Sequence, residues 1–190
     1  MDGIEKNQLQ VLGISGSPRR NGNTEILVDE VLHGAVEAGA HVEKVLLRTL
    51  TIAPCVACDH CRKKGVCIHR DDMVLLLEKM SRSDVWVLGT PVHWYAPSTL
   101  FKTFLDRWYG GGDVIFNRAG QRAVIVAAME AENQTVGRHT VGMIADTLGY
   151  LKMEHLATVL AASVHAPGAV RQHPQVLNAA YQAGWDSVKA

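Results

Sequence analysis

The chain has 190 residues, 47% of them hydrophobic, which is enough for one globular domain with a substantial core. Lys plus Arg and Asp plus Glu number 19 each, so no net charge would attract nucleic acid or an anionic membrane. No apolar run reaches the roughly 20 residues that span a bilayer, and the polar start of the chain lacks the apolar segment of a secretion signal. We therefore expect a single cytoplasmic domain over residues 1–190, frayed over residues 1–9, that acts on a small molecule or with another protein.

Short apolar runs alternate with stretches of helical periodicity along the whole chain. The predicted strands cover residues 11–14, 42–47, 85–88, 123–128 and 156–161. The predicted helices cover residues 24–38, 71–81, 98–108, 134–148 and 174–188. Strands that are apolar on both faces are typical of a parallel sheet covered by helices on each side. The sequence therefore predicts an α/β fold that is doubly wound around a five-stranded parallel sheet, with ligands at the carboxyl ends of the strands.

The loop between the first strand and the first helix reads ISGSPRRNGNT, from Ile14 to Thr24. A helix N-terminus offers unpaired backbone N–H groups and a partial positive charge, so it favours an anion. Side-chain donors around it are Ser15, Ser17, Arg19, Asn23 and Thr24. The loop lacks the Walker ending and the G-x-G-x-x-G pattern, which disfavours a triphosphate or a dinucleotide. A phosphate site is the functional interpretation, and a polar turn capped by Asn23 or Thr24 is the structural alternative.

Two segments carry a resemblance to a known family. GISGSPRRNGNTEIL, together with PVHWYAPSTLFKTFLDR after the third strand, resembles the flavodoxin-like NAD(P)H-dependent FMN reductases over residues 11–107. The resemblance implies a three-layer sandwich in which the first loop holds the FMN phosphate. The second loop would then line the flavin ring with Pro91, Val92, His93, Trp94 and Tyr95. Aromatic faces and backbone donors suit a flat ring edged with hydrogen-bonding atoms.

The same resemblance implies an activity and an assembly. FMN would pass electrons from NAD(P)H to a small acceptor such as a quinone, a flavin or a nitroaromatic, and the flavin itself would carry the chemistry, so no catalytic side chain is expected. Members of this family are commonly homodimers or homotetramers. Asp106 and Arg107 are expected only in helix packing and surface pairs. One departure concerns Glu130 and Glu132, because they stand after the fourth strand where relatives often carry a glycine-rich flavin contact.

All four cysteines fall in the predicted cysteine loop, residues 49–70, with the spacing C-x2-C-x2-C-x5-C. They are Cys55, Cys58, Cys61 and Cys67. Such a cluster is unlike the spread of cysteines in a disulfide framework, and it can surround a small inorganic centre. Structural zinc normally takes two C-x2-C pairs with a longer insert, so it fits less well. A redox disulfide and a loop without any bound centre are further alternatives.

The cysteine spacing also resembles that of the iron-sulfur flavoproteins, a branch of the same family. The resemblance implies that Cys55, Cys58, Cys61 and Cys67 ligate a [4Fe-4S] cluster. The alternative to a nicotinamide-dependent reductase is then an electron-transfer protein that relays electrons between a ferredoxin-like partner and FMN.

Overall fold

The computed structural model describes residues 8–190, which contain a central parallel sheet. Its five parallel strands are β1 (Gln10–Ser15), β2 (His41–Leu46), β3 (Val85–His93), β5 (Arg122–Ala128) and β6 (Glu154–Ala161). They lie in the order β2-β1-β3-β5-β6. A two-residue strand, β4 (Ala96–Pro97), pairs antiparallel with the end of β3. The strand order reverses beside β1 and β3, so their carboxyl ends flank the crevice where such sheets bind ligands.

Helices cover both faces of the sheet. They are α1 (Asn23–Glu37), α2 (His60–Lys64), α3 (Met73–Ser81), α4 (Thr99–Asp106), α5 (Asp113–Phe116), α6 (Arg138–Tyr150) and α7 (Pro174–Lys189). Buried residues of α1 and α7 belong to the core on one face, and those of α3, α4 and α6 belong to the core on the other. Among residues 8–190 no helix has the length and apolar character needed to cross a membrane.

The central strand β3 shows why the sheet needs two covered faces. Val85 and Val87 point into the core beneath α1 and α7, whereas Trp86 and Leu88 point into the opposite core. All four side chains are completely buried. Because successive side chains of a strand alternate between faces, a strand that is apolar throughout requires helices on both sides. The predicted doubly wound α/β fold is therefore confirmed.

Two glycines bring α1 and α7 into backbone contact. A Cβ on Gly34 would lie 1.9 Å from the carbonyl oxygen of Tyr181, and one on Gly184 would lie 1.8 Å from that of Val31. No side chain fits at such distances, so alanine at either position would separate the helices. The helix that follows the first loop is thus held closely by α7.

Several boundaries differ from the sequence-based expectations. The third strand continues to His93, five residues beyond its predicted end, because it goes on to form a hairpin with β4. The fourth predicted helix begins with a 3₁₀ turn, Gln134–Gly137. Residues 1–7 of the segment expected to fray lie outside the described residues. Leu9 was included in that segment, yet its side chain packs against the core and its carbonyl accepts a 2.9 Å hydrogen bond from His41.

Candidate functional site

Two predicted loops meet in one cavity of about 140 Å³ at the carboxyl edge of the sheet. Its lining includes seven predicted site residues: Ser17, Arg19, Asn23, Thr24, Pro91, Val92 and His93. The third wall was not predicted as a contact and consists of residues 128–130 at the end of β5 and residues 164–165 after β6. The cavity is thus built by the ends of four parallel strands, where the strand order predicts a ligand.

The start of α1 forms the floor of this cavity. The first N–H groups of α1, like those of any helix, have no carbonyl partner within the helix. Gly22 precedes the helix, and no side-chain hydrogen bond caps it there. Ser17 is 3% exposed and its hydroxyl accepts a 3.2 Å hydrogen bond from the backbone N–H of Arg19. A Cβ on Gly22 would lie 3.0 Å from that hydroxyl. Glycine therefore keeps the Ser17 side chain and the helix N-terminus close together.

Asn23 has a structural task that the sequence did not indicate. Its side-chain amide donates to the carbonyls of Val164 at 3.1 Å and Ala166 at 3.0 Å. Its side-chain oxygen accepts a 3.1 Å bond from the N–H of Val170. The Asn23 side chain therefore holds the start of α1 against the loop after β6, and its hydrogen bonds go to the protein itself. The alternative that Asn23 merely caps the helix is not what the structure contains.

Ser15 and Arg19 differ in burial, although both belong to the first loop. Ser15 is completely buried, and within the described residues its hydroxyl has no hydrogen-bond partner. Arg19 is exposed, and its guanidinium donates a 2.6 Å bond to the carbonyl of His165 across the cavity. Arg19 therefore links the first loop to the loop after β6 at the cavity rim, whereas Ser15 stands outside the lining.

Trp94 and Tyr95 form the tip of the hairpin between β3 and β4. Both have left-handed backbone angles, with φ of 51° and 66°, and the pairing of His93 with Ala96 makes this a two-residue turn of the I′ kind. Such angles cost a bulky residue on the order of 1–2 kcal/mol. Trp94 is also 95% exposed, and neither residue lines the cavity. A strained turn that presents a large aromatic side chain to solvent is typical of a binding surface.

Charged residues surround the start of α1. Glu25 is buried in the first turn and pairs with Arg48 at 2.9 Å and with Lys44 at 3.5 Å. Burial acts to raise the pKa of Glu25, but the bonds and charges of Arg48, Lys44 and the Asn21 N–H together lower it. Glu25 therefore stays ionised, and the positive charges of Arg48 and Lys44 balance its negative charge.

The departure after β5 also lies at the cavity. Glu130 is exposed, lines the cavity and pairs with His165 at 3.0 Å. Glu132 is exposed and lies outside the lining. One carboxylate of the departure therefore lines the cavity, in contact with a histidine that lines it too.

The four cysteines line a second cavity, of about 330 Å³. Cys55 and Cys58 are exposed, Cys61 and Cys67 are half-buried, and all four thiols are free. Within residues 8–190 no three His, Cys, Asp or Glu side chains lie close enough to share one metal ion. The predicted cysteine loop, residues 49–70, contains one short helix, α2, between Cys58 and Cys67. The fold thus collects the cysteines around one space without forming a single-ion site.

Arg107 was expected only in helix packing and surface pairs, but it forms a buried ion pair instead. It is 2% exposed and pairs with Asp71 at 2.6 Å beside the cysteine cavity, whereas Asp106 does pair with Lys102 on the surface. Burial acts to lower the pKa of Arg107 and to raise that of Asp71, but their mutual hydrogen bonds and charges move both pKa values the other way. Both groups are therefore ionised. A separation of 36 residues along the chain left no pattern by which the sequence could reveal this pair.

Comparison with known proteins identifies the family. The family model described as NADPH-dependent FMN reductase matches residues 9–167. This chain belongs to the NADPH-dependent FMN reductase family. An iron-sulfur flavoprotein of Methanocaldococcus jannaschii is 39% identical over 99 residues, which cover 52% of this chain and 51% of the relative. An iron-sulfur flavoprotein of Archaeoglobus fulgidus is 33% identical over 131 residues, which cover 68% of this chain and 60% of the relative.

The solved structures agree with the architecture expected of an FMN reductase family member. The NAD(P)H:quinone oxidoreductase from Methanothermobacter marburgensis superposes with a TM-score of 0.74 at 18% identity, covering 94% of this chain and 96% of the other. At that identity the likeness shows the fold alone. The chain spans only 51% to 60% of the length of the two iron-sulfur flavoproteins. The predicted membership in the flavodoxin-like FMN reductase family is confirmed.

Proposed function

We propose that this chain binds FMN and is an oxidoreductase that passes electrons from NAD(P)H to a small acceptor such as a quinone, a flavin or a nitroaromatic. The observation that carries the proposal is the meeting of the first loop and the end of β3 in one cavity at the start of α1. A helix N-terminus with a buried serine beside it suits a phosphate, and the membership in the FMN reductase family agrees with that ligand.

The cavity has room for only one part of FMN. Sites that enclose a ligand of drug size usually measure about 300–1,000 Å³. A cavity of about 140 Å³ matches the phosphate end of FMN, so the flavin ring would lie outside it. Trp94 and Tyr95 are the exposed aromatic residues next to the cavity wall formed by His93. A second copy of the chain in a homodimer or homotetramer would complete the cover of such a ring.

The residues of this chain would bind and orient the cofactor without transferring protons. Ser17, Thr24 and the first backbone N–H groups of α1 would hold the phosphate. Arg19 would keep its hydrogen bond to the carbonyl of His165 at the cavity rim. Pro91 and Val92 would exclude water on the side of β3. When bound, FMN supplies the hydride chemistry itself.

We further propose a [4Fe-4S] cluster on Cys55, Cys58, Cys61 and Cys67, which would make the chain an electron carrier between FMN and a ferredoxin-like partner. The specific observation is that four free thiols line one cavity although no three ligands are close enough for a single ion. In a four-iron cluster each cysteine binds a different iron, so the sulfur ligands stand further apart than around one zinc ion. The named relatives from Methanocaldococcus jannaschii and Archaeoglobus fulgidus favour the same centre.

One experiment tests both proposals. The protein would be purified without oxygen, and FMN, iron and sulfide would be quantified on the same sample together with NADH and NADPH oxidation. One FMN and about four irons per chain support the electron carrier. FMN without iron, combined with oxidation of a nicotinamide, supports the reductase and rejects the cluster. A chain that takes up no FMN under any condition contradicts the first proposal.

A further inference from the structure

Arg107 lies at the base of the cysteine loop and makes more contacts than an ion pair needs. Its guanidinium donates to both carboxylate oxygens of Asp71, at 2.6 and 3.1 Å, and to the carbonyl of Ala53 at 2.8 Å. The same group lies 3.5 Å from the sulfur of Cys67, within hydrogen-bond distance for sulfur. Its Nε is buried without a partner among the described residues.

These contacts join the two ends of the cysteine loop. Asp71 accepts a 2.9 Å bond from the N–H of Ala53 while it pairs with Arg107. One step further out, the carboxylate of Asp72 accepts a 2.7 Å bond from the N–H of Thr51, and the Asp72 N–H donates to the Thr51 carbonyl at 3.2 Å. The chain before Cys55 is therefore bonded to the chain after Cys67, with Arg107 at the point of closure.

We propose that Arg107 is a positioning residue of the cysteine site, which closes the loop and holds a positive charge against Cys67. Arginine suits both tasks because its planar guanidinium presents five donors in a fixed arrangement, whereas lysine is a single flexible point of charge. A Cβ on Gly110 would lie 3.0 Å from the Cβ of Cys67, so close packing limits the movement of this cysteine on its other side. The closure stands on its own, and only the effect of the charge rests on the proposed cluster.

The two tasks have different physical consequences. Loss of the closure separates residues 51–53 from residues 71–72, which opens the loop with or without a metal centre. Loss of the positive charge removes stabilisation of the more negative, reduced state of a cluster, and therefore lowers its reduction potential. Removal of the Asp71 charge leaves the cation of Arg107 uncompensated beside Cys67 and therefore raises that potential.

Loop closure can be measured on the full chain after a chelator has removed bound metal. Arg62, Lys63 and Lys64 are exposed trypsin sites inside the loop. We expect trypsin to cut there about ten times faster in Arg107→Gln and in Asp71→Asn, since local opening governs such cleavage. Lys102→Gln, which breaks an exposed pair on α4, is the matched control and should leave the rate unchanged. Equal cleavage rates in all four proteins would overturn the proposed closure.

The effect of the charge is measured as the reduction potential of the reconstituted protein, followed by electron paramagnetic resonance. We expect a lower potential in Arg107→Gln and a higher one in Asp71→Asn, although both variants open the loop. A purely structural role would move both potentials in one direction, and that result would overturn the assignment of the charge. Arg107→Lys, which keeps the charge, should open the loop with a smaller change of potential. If Arg107→Gln does not fold, Arg107→Lys replaces it in the trypsin measurement, and the raised potential of Asp71→Asn alone tests the charge.

The proposed cluster and the role of Arg107 can fail separately. If the unmodified protein takes up no iron, the cluster proposal is wrong, and the trypsin rates still decide whether Arg107 closes the loop. If iron binds and the variants match the unmodified protein in both measurements, the cluster stands and the role of Arg107 is rejected.

Discussion

The two candidate sites of this molecule, the cavity at the start of α1 and the cysteine cavity, are built in different ways. The first loop, for which we propose a phosphate, is a direct turn from a buried strand into a helix, so the sheet and its hydrogen bonds place most of the site. The cysteine loop leaves the sheet after β2 and is held at its base by the side chains of Asp71, Asp72 and Arg107. The first site follows from the fold itself, whereas the second depends on a few polar contacts between distant segments.

The largest effect is expected in the site that the fold builds. Ser17→Asp should weaken FMN binding about a thousandfold, because two negative charges about 4 Å apart repel by about 4 kcal/mol at an effective dielectric constant of 20. Titration of the FMN-free protein followed by flavin fluorescence measures the dissociation constant. Ser17→Ala removes the hydroxyl without adding charge and should cost far less. Unchanged FMN affinity in Ser17→Asp would place the phosphate elsewhere.

The corresponding change in the cysteine loop should leave the flavin site intact. Cys58→Ser should reduce bound iron from about four per chain to nearly none, since each thiolate holds one corner of the proposed cluster. Cys58 is exposed, so the far-ultraviolet circular dichroism should not change. Val56→Ser, at an exposed position of the same loop, is the control. Iron content that survives the loss of Cys58 would refute the ligand assignment.

A smaller effect is expected from the charges around the start of α1. Glu25→Gln should lower the free energy of unfolding by about 1–3 kcal/mol at pH 7, because Arg48 and Lys44 lose a charged partner. The pKa of Glu25 is lowered from 4.5 in the folded state, so its contribution is complete above that pH and disappears as the pH falls through the folded pKa.

Urea unfolding across this pH range measures the difference between the two proteins. The gap between unmodified protein and Glu25→Gln should therefore narrow towards acid pH. Glu37→Gln changes an exposed carboxylate of the same helix and serves as the comparison. A gap that stays constant from neutral to acid pH would contradict the inferred ionisation.

The smallest effect concerns the hairpin tip, where function and stability should oppose each other. Trp94→Asn should stabilise the FMN-free protein by about 0.5–1 kcal/mol, because asparagine tolerates a left-handed backbone. The same change should weaken FMN binding, since it removes the exposed aromatic face. Thermal unfolding and FMN titration measure the two quantities, and Trp94→Phe keeps both the strain and the ring. A less stable Trp94→Asn protein would show that the turn is not strained.

The sequence predicted those features that local patterns encode. The apolar strands, the helical periodicity and the loop from Ile14 to Thr24 lie within short windows, and the structure places them as expected. Asn23 was recognised by its position in that loop, but its bonds to Val164 and Ala166 join residues 141 and 143 positions away. No periodicity reports such a contact, because it depends on how the completed sheet brings its loops together.

The same distinction explains what was missed near the cysteines. The cysteine spacing is a local pattern that the sequence shows directly. Arg107 stands near the end of a predicted helix as an ordinary charged residue, and nothing next to it in the sequence indicates that it is buried. Its burial follows from the packing of α4 against the sheet and from the path of a loop that the sequence does not specify. The left-handed angles of Trp94 and Tyr95 were equally hidden, because neither residue type favours them.

The backbone contact between α1 and α7 also has a consequence for biosynthesis. α1 emerges early from the ribosome, but the hydrogen bond between Asn23 and Val164 can form only after another 141 residues have been translated. The contact of Gly34 with α7 forms later still, because α7 is the last helix of the chain. The four thiols of the cysteine loop are therefore synthesised before the cavity at the start of α1 can form. We expect a nascent chain to acquire its cofactor only after translation has passed β6, so that loading is a late event in the maturation of this protein.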